Sequence, residues 1–411
     1  MLPPLWKSRL KITQAHNKGN SMVDKPIGRP FGTANILRND VLSRRGFLGT
    51  SLALGAGAAA GATLGAWPGP ASAAGGDLKI MAWEGFTMDA ELKAWREANK
   101  VQVDAAIIST QDDVHAKLIG SNPVRLDLAE YSQGFERFYV DELKIVKPLD
   151  IARVPNFTPE NIYPEFYQAP TWYWDKTHFA IPWIWGLNAL VYNPAMTKPI
   201  TSYKDLLAPE LKGKLTFCDD TIATWPMIAR LAGLGPKFPN ITKEELKTAF
   251  EGLGPYRDQC RVFGASNGDV ISLFASGEIA ACFSVWSGTP VETAKRGVKT
   301  VYTVPAEGAV MWCDAWFMPI SVQNVDAAYG FMNEAITAKA QAEVAKAVNG
   351  GAVNKHAPAL MDADTKALFD YSNLPQVFAK SPLQGQPPRV SDTYATYDEW
   401  TQAWTDFKSS F

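Results

Sequence analysis

Cysteine and histidine are scarce in this chain of 411 residues, with four of each. Beyond residue 73 the histidines are His115, His178 and His356, widely scattered, and no C-x-x-C occurs. A metal centre built on His and Cys is therefore not expected. There is no H-E-x-x-H, so one common hydrolase signature is missing. Basic charge is thin after the first 73 residues: 31 Lys or Arg stand against 40 Asp or Glu, a net charge of −9. An acidic body argues against nucleic acid as a partner and is permissive of a cationic ligand. Cys218, Cys260, Cys282 and Cys313 could pair in three ways in an oxidising compartment. Buried thiols in strands are the simpler expectation.

What the body lacks in positive charge, the leader has. Residues 1–73 carry nine Lys or Arg and two Asp or Glu, a net charge of +7. "SRRGFLG" places Arg44 and Arg45 ahead of an Ala/Gly/Leu stretch, and "ASA" (71–73) offers small residues for cleavage. The expectation is a twin-arginine signal peptide, a mature start near Ala74, and a periplasmic protein. The glycines of "LGAGAAAG" follow no strand and belong to this leader rather than to a nucleotide loop.

The remainder alternates short apolar strands with amphipathic helices, the pattern of an α/β fold. "LKIMAW" (78–83), "VQVDAAII" (101–108), "KLTFCDD" (214–220) and "EIAACFSVW" (278–286) read as strands. "HFAIPWIWGLNALVYN" (178–193) reads as an extended run broken at Pro182 and Gly186. Thr242 with Glu245 forms a capping box, and Thr289, Pro290 and Glu292 read as a second helix start. Residues with ligand chemistry fall at strand ends: Trp83, Asp219 with Asp220, and Trp286. In open α/β sheets ligands bind there. Most other tryptophans, among them Trp95, Trp400 and Trp404, are expected in cores.

"EGAVMWCDAWFMP" (307–319) raises a question of charge. As a strand it puts Val310, Trp312, Asp314, Trp316 and Met318 on one face. No Lys or Arg lies between Lys299 and Lys339. An ionised Asp among aromatics is costly without a partner. Either a distant basic residue or a ligand must supply one.

Six segments in order resemble the spermidine/putrescine-binding family of periplasmic solute-binding proteins. They are "KIMAWEGF", "IPWIWGLNALVYN", "PELKGKLTFCDD", "LFASGEIAACFSVWSG", "EGAVMWCDAWFMP" and "GGAVNKHA". The resemblance implies a two-lobed periplasmic binding protein fold of type II, two α/β lobes joined by two crossing segments with a ligand cleft between them. Lobe one would take residues 77–182 and 308–352, and lobe two residues 183–307 and 353–411. It implies a monomer that binds a small cationic ligand, without cofactor or bond-making chemistry, and delivers it to the membrane permease of an ABC importer. The ligand-binding residues it implies are Trp83, Glu84, Phe86, Ser132, Asp220, Trp286, Trp312 and Asp314. The counter-ion of Asp314 would then be the ligand's ammonium. Three departures stand out: Gly85 and Ala223 occupy places where the family has acids, and Gly134 one where it has Tyr. They favour a smaller or less cationic amine. Another solute, such as a sugar or amino-acid-like compound, is the alternative. Iron is disfavoured by the lack of a Tyr-Tyr pair. An exported enzyme is the weakest reading, since adjacent strand residues such as Asp219 and Asp220 point to opposite faces.

Overall fold

The structure is a computed structural model that describes residues 75–83, 85–108, 111–119 and 123–410. The leader with its twin arginines and cleavage triplet, and Glu84, lie outside the described residues.

Among the described residues twelve strands follow in chain order: β1 Gly76–Trp83, β2 Val101–Ile108, β3 Leu128–Ser132, β4 Tyr173–Trp174, β5 Thr177–His178, β6 Ala180–Tyr192, β7 Leu215–Cys218, β8 Cys260–Gly264, β9 Ala281–Trp286, β10 Val301–Thr303, β11 Val310–Phe317 and β12 Gly351–Ala352. β4 and β5 form a small hairpin of their own. The main sheet runs β2-β1-β3-β11-β6-β9-β7-β8, with β10 and β12 also on β6. Its two ends are parallel, β1 with β2 and β3, and β7 with β8 and β9. Its middle is antiparallel, β3 to β11 to β6 to β9. Parallel strands need crossover helices and so are covered on both faces, which is why β3 and β7 are buried throughout.

β6 and β11 each pass from one hydrophobic core into another. Side chains of β6 from Ala180 to Ala189 join the first core, and Leu190 and Tyr192 join the second. On β11, Val310 belongs to the second core and Met311 to Phe317 supply the first. Two α/β lobes are thus joined by two crossing strands. The first core also takes Val353, Phe369 and Leu374, so its packing extends past residues 182 and 352. In the second, Phe217 and Phe283 stack at 4.0 Å, and Trp400 and Trp404 are buried.

Two local expectations are corrected. Residues 180–192 form one unbroken strand rather than a run interrupted at Pro182 and Gly186. The interruption is a bulge: Asp314 pairs with Ile184 and Ala315 with Pro182, leaving Trp183 as the extra residue. A bulge absorbs the proline's missing donor without ending the strand. The second helix start is also displaced. Thr289 is the first helical residue, Gly288 holds the cap position without a side-chain bond, and the buried Thr289 hydroxyl has no partner. The Thr242–Glu245 capping box forms as read. All four cysteines are free thiols, and Cys218, Cys282 and Cys313 are buried.

Candidate ligand site at the crossing strands

The antiparallel register between β3 and β11 places Ser132 opposite Asp314 and Glu130 opposite Trp316. Side chains two residues apart share a face, so Glu130 and Ser132 lie on one side of β3. The Ser132 hydroxyl donates to Asp314 Oδ1. Asp314 is 3% exposed, and no Lys, Arg or His forms an ion pair with it among the described residues. Burial pushes its carboxyl up to about 7, against the pull of the Ser132 hydroxyl, and the charge of Asp220 adds to the rise.

Asp127, the residue before β3, shows what a structural carboxylate looks like here. It is fully buried but accepts N–H groups from Lys79 at 2.9 Å, Gln323 at 2.8 Å and Asn324 at 3.0 Å, with Arg125 at 3.5 Å. Burial acts to raise its pKa, and these partners outweigh that and hold it below the usual carboxylate range. Asp314 has no such set.

Glu130 is a second buried acid that sequence reasoning passed over. One carboxylate oxygen accepts the backbone N–H of Trp83 at 2.8 Å, while Oε1 has no partner. Burial, then the Asp314 charge, push its pKa well up. The signal was present: an acid in the apolar strand "LAEYS", in register with Ser132.

Around these acids stand aromatic walls. Phe86 follows the turn after β1, where its N–H bonds to the Trp83 carbonyl at 3.0 Å. Its ring lies 5.4 Å from Trp183, edge to face, and 6.2 Å from Trp312. Trp183, delivered by the β6 bulge, stacks on Trp316 at 5.6 Å. The indole N–H of Trp83 leans toward Asp314 and that of Trp183 toward Glu130. Each is near enough to hold the carboxyl pKa down, yet neither closes a well-formed hydrogen bond. Trp312 pairs with Gly186, and its indole occupies the space a side chain there would need: a Cβ would sit 2.5 Å from the ring.

Asp220 closes the other side. It caps the helix Thr221–Leu231, accepting the Ile222 N–H at 3.1 Å, and lies 3.4 Å from Asn188 Nδ2. Burial pushes its carboxyl up to about 6. Asn188 pairs across β6 with both Val310 and Trp286, which places Trp286 beside this group. Trp286, at the end of a second-lobe strand, packs against the first-lobe core. Asp219 faces away, bonded at 2.7 Å to both Trp404 Nε1 and Lys408 Nζ.

Trp83, Phe86, Ser132, Asp220, Trp312 and Asp314 are therefore brought together, with Trp286 linked through Asn188. Besides Glu130, sequence reasoning missed Asn188, whose buried Oδ1 is unpaired, and Gln386. Gln386 packs over Gly134, 2.5 Å from where a Cβ would stand, and both polar atoms of its amide lack partners. A hollow of about 340 Å³ lies elsewhere, reached by Leu187 on the opposite face of β6, and shares none of these residues. No group of three or more residues among those described could hold a metal ion.

The family model for bacterial extracellular solute-binding proteins matches residues 90–377. The chain belongs to that family. Among curated relatives of this solute-binding protein is the spermidine/putrescine-binding periplasmic protein of Salmonella typhimurium. It is 25% identical over 328 residues, 78% of this chain and 89% of the relative. The putrescine-binding periplasmic protein PotF of Escherichia coli is 25% identical over 370 residues, 86% of this chain and 97% of the relative. Among solved structures, the spermidine/putrescine transporter substrate-binding protein PotD of Streptococcus pneumoniae aligns with a TM-score of 0.66. It is 21% identical, with 81% of this chain and 98% of that chain covered. The two-lobed architecture is the one these neighbours share.

Proposed function

We propose that this solute-binding protein is the substrate-binding component of an ABC importer. It takes a small cationic amine of the polyamine class into the aromatic and acidic cleft and hands it to a membrane permease. The observation that carries this reading is the buried Asp314, which among the described residues has a hydroxyl partner but no basic one within walls of Trp and Phe. A ligand ammonium would supply the missing positive charge through a charge-assisted hydrogen bond. Desolvated aromatic faces would add about 0.5–2 kcal/mol. The names of the curated relatives favour the same ligand class.

In this reading Trp83, Phe86, Trp286 and Trp312 contact the methylenes and ammonium, Ser132 orients Asp314, and Asp220 meets the far end of the ligand. Glu84, between Trp83 and Gly85 in the sequence, would add negative charge. The protein acts as a monomer in the periplasm, exported by the twin-arginine route and cleaved near Ala74. Among the described residues no helix is long and apolar enough to cross a membrane.

Native mass spectrometry of freshly purified protein tests the ligand class. A retained small amine, displaced by added putrescine, is expected. A retained neutral sugar would move the class.

A further inference from the structure

Glu130 lies behind the residues that a ligand would touch, and its position is unusual. It is fully buried, its Oε1 has no partner, and it faces the same side of β3 as the hydroxyl that holds Asp314. Two buried carboxyl groups thus lie on one side of the β3–β11 pairing. The titratable groups facing them are few. β11 supplies Asp314 itself, with the Cys313 thiol on its other face, and the cap of the helix Thr221–Leu231 supplies Asp220. β1 and β6 contribute the indoles of Trp83 and Trp183, and β3 the Ser132 hydroxyl. No Lys, Arg or His pairs with either acid among the described residues.

Two like charges buried on one face of a strand pair cannot both be ionised at modest cost. One proton relieves the repulsion, and a cation can do so as well. Resting on the amine-binding reading above, we propose that Glu130 shares one proton with Asp314 in the ligand-free protein, and that an arriving ammonium group displaces it. The O–H bond of the carboxylic acid breaks, the proton leaves to solvent, and the ligand keeps its own charge. Glu130 is thereby a positioning residue, which touches no ligand but sets the charge that Asp314 can present. The two indole N–H groups that lean toward the acids without closing hydrogen bonds are then poised to tighten on the doubly ionised pair.

The pair also bears on selectivity. A neutral solute cannot replace the proton and would leave the acid–carboxylate pair as it was. An ammonium ion can. The pair would therefore favour cations by exchange as well as by direct contact.

Titration calorimetry with putrescine in phosphate and in Tris buffer counts the protons released on binding. The wild-type protein should release close to one near pH 7, and its putrescine affinity should strengthen with pH by up to roughly tenfold per unit between pH 6 and 7. Glu130→Gln keeps the shape and an acceptor for the Trp83 N–H. It should release far less and show a much flatter pH profile while still binding putrescine. Proton release and pH profile unchanged in Glu130→Gln would overturn the proposal, as would wild-type binding with no proton released. If putrescine and other amines do not bind at all, the amine-binding reading fails and the displacement step with it. The shared proton is then judged separately, in the ligand-free protein, by the infrared difference between wild type and Glu130→Gln. A protonated-carboxyl band at pH 7 that disappears in the variant supports sharing, and its absence refutes it.

Discussion

Ser132 and Asp314 face each other across the β3–β11 pairing, and the serine hydroxyl donates to the carboxylate. That bond orients the charge without neutralising it, so the cost of burying Asp314 falls on the protein until a cation arrives.

The first prediction concerns pH and stability of the ligand-free protein. The folded carboxyl of Asp314 sits at about 7, well above its ordinary value of 3.8. The folded state therefore holds more protons than the unfolded state between these values. The contribution of this group is fully present below about pH 4 and is lost as pH rises through about 7. Its full size is on the order of 4 kcal/mol. Asp220 and Glu136, raised to about 6 and about 7, act with the same sign. Thermal melts from pH 5 to pH 8 should show Tm falling with pH. Asp314→Asn should flatten that decline in part and match or exceed the wild-type Tm at pH 8. A variant less stable than wild type at pH 8 would assign Asp314 a structural role.

The second prediction rests on Gly186. A Cβ there would collide with the Trp312 indole at 2.5 Å, and the neighbouring backbone is held in the β6–β11 ladder. The indole must move or the strands must part. Gly186→Ala should cost about 1–3 kcal/mol of stability, as overpacking does, and should weaken putrescine binding by displacing an aromatic wall. Chemical denaturation and calorimetry measure both. Unchanged stability and affinity together would mean that Trp312 has room the structure does not show.

The third prediction concerns ligand charge. By resemblance, acids belong at the positions of Gly85 and Ala223, and this chain has neither. Ala223 is buried in the helix capped by Asp220. A third ammonium would be desolvated without a partner, at a cost of several kcal/mol before relaxation. Putrescine, or an amine with a neutral polar end, should bind more tightly than spermidine in parallel titrations. Tightest binding to spermidine would show that other groups, with Glu84 the first to test, replace the missing acids.

Much of this architecture was legible in advance, for reasons that differ by element. The strands at both ends of the sheet are marked by apolar runs ending in turns, and the Thr242–Glu245 cap by its spacing. Trp312 and Asp314 were found because strand alternation puts them on one face and the local sequence lacks any base. The bulge at Trp183 was not legible. Pro182 signals an irregularity, but only the register with Ala315 shows that the chain bulges rather than breaks. Glu130 could have been read from its alternation with Ser132, which drew attention to itself through the resemblance. Gln386 sits in an irregular segment with no period to read, and its position over Gly134 is a long-range contact. Asp219 and Asp220 separated as adjacent residues should, one to the C-terminal helix and one to Asn188.

The central claim is that Asp314 anchors a ligand ammonium, and titration of putrescine into wild-type protein and Asp314→Asn at pH 7.5 tests it most directly. The account predicts saturable binding to the wild type and a loss of roughly 2–4 kcal/mol in the variant, the scale for breaking a desolvated charge pair. Equal putrescine affinity in the two proteins would contradict it.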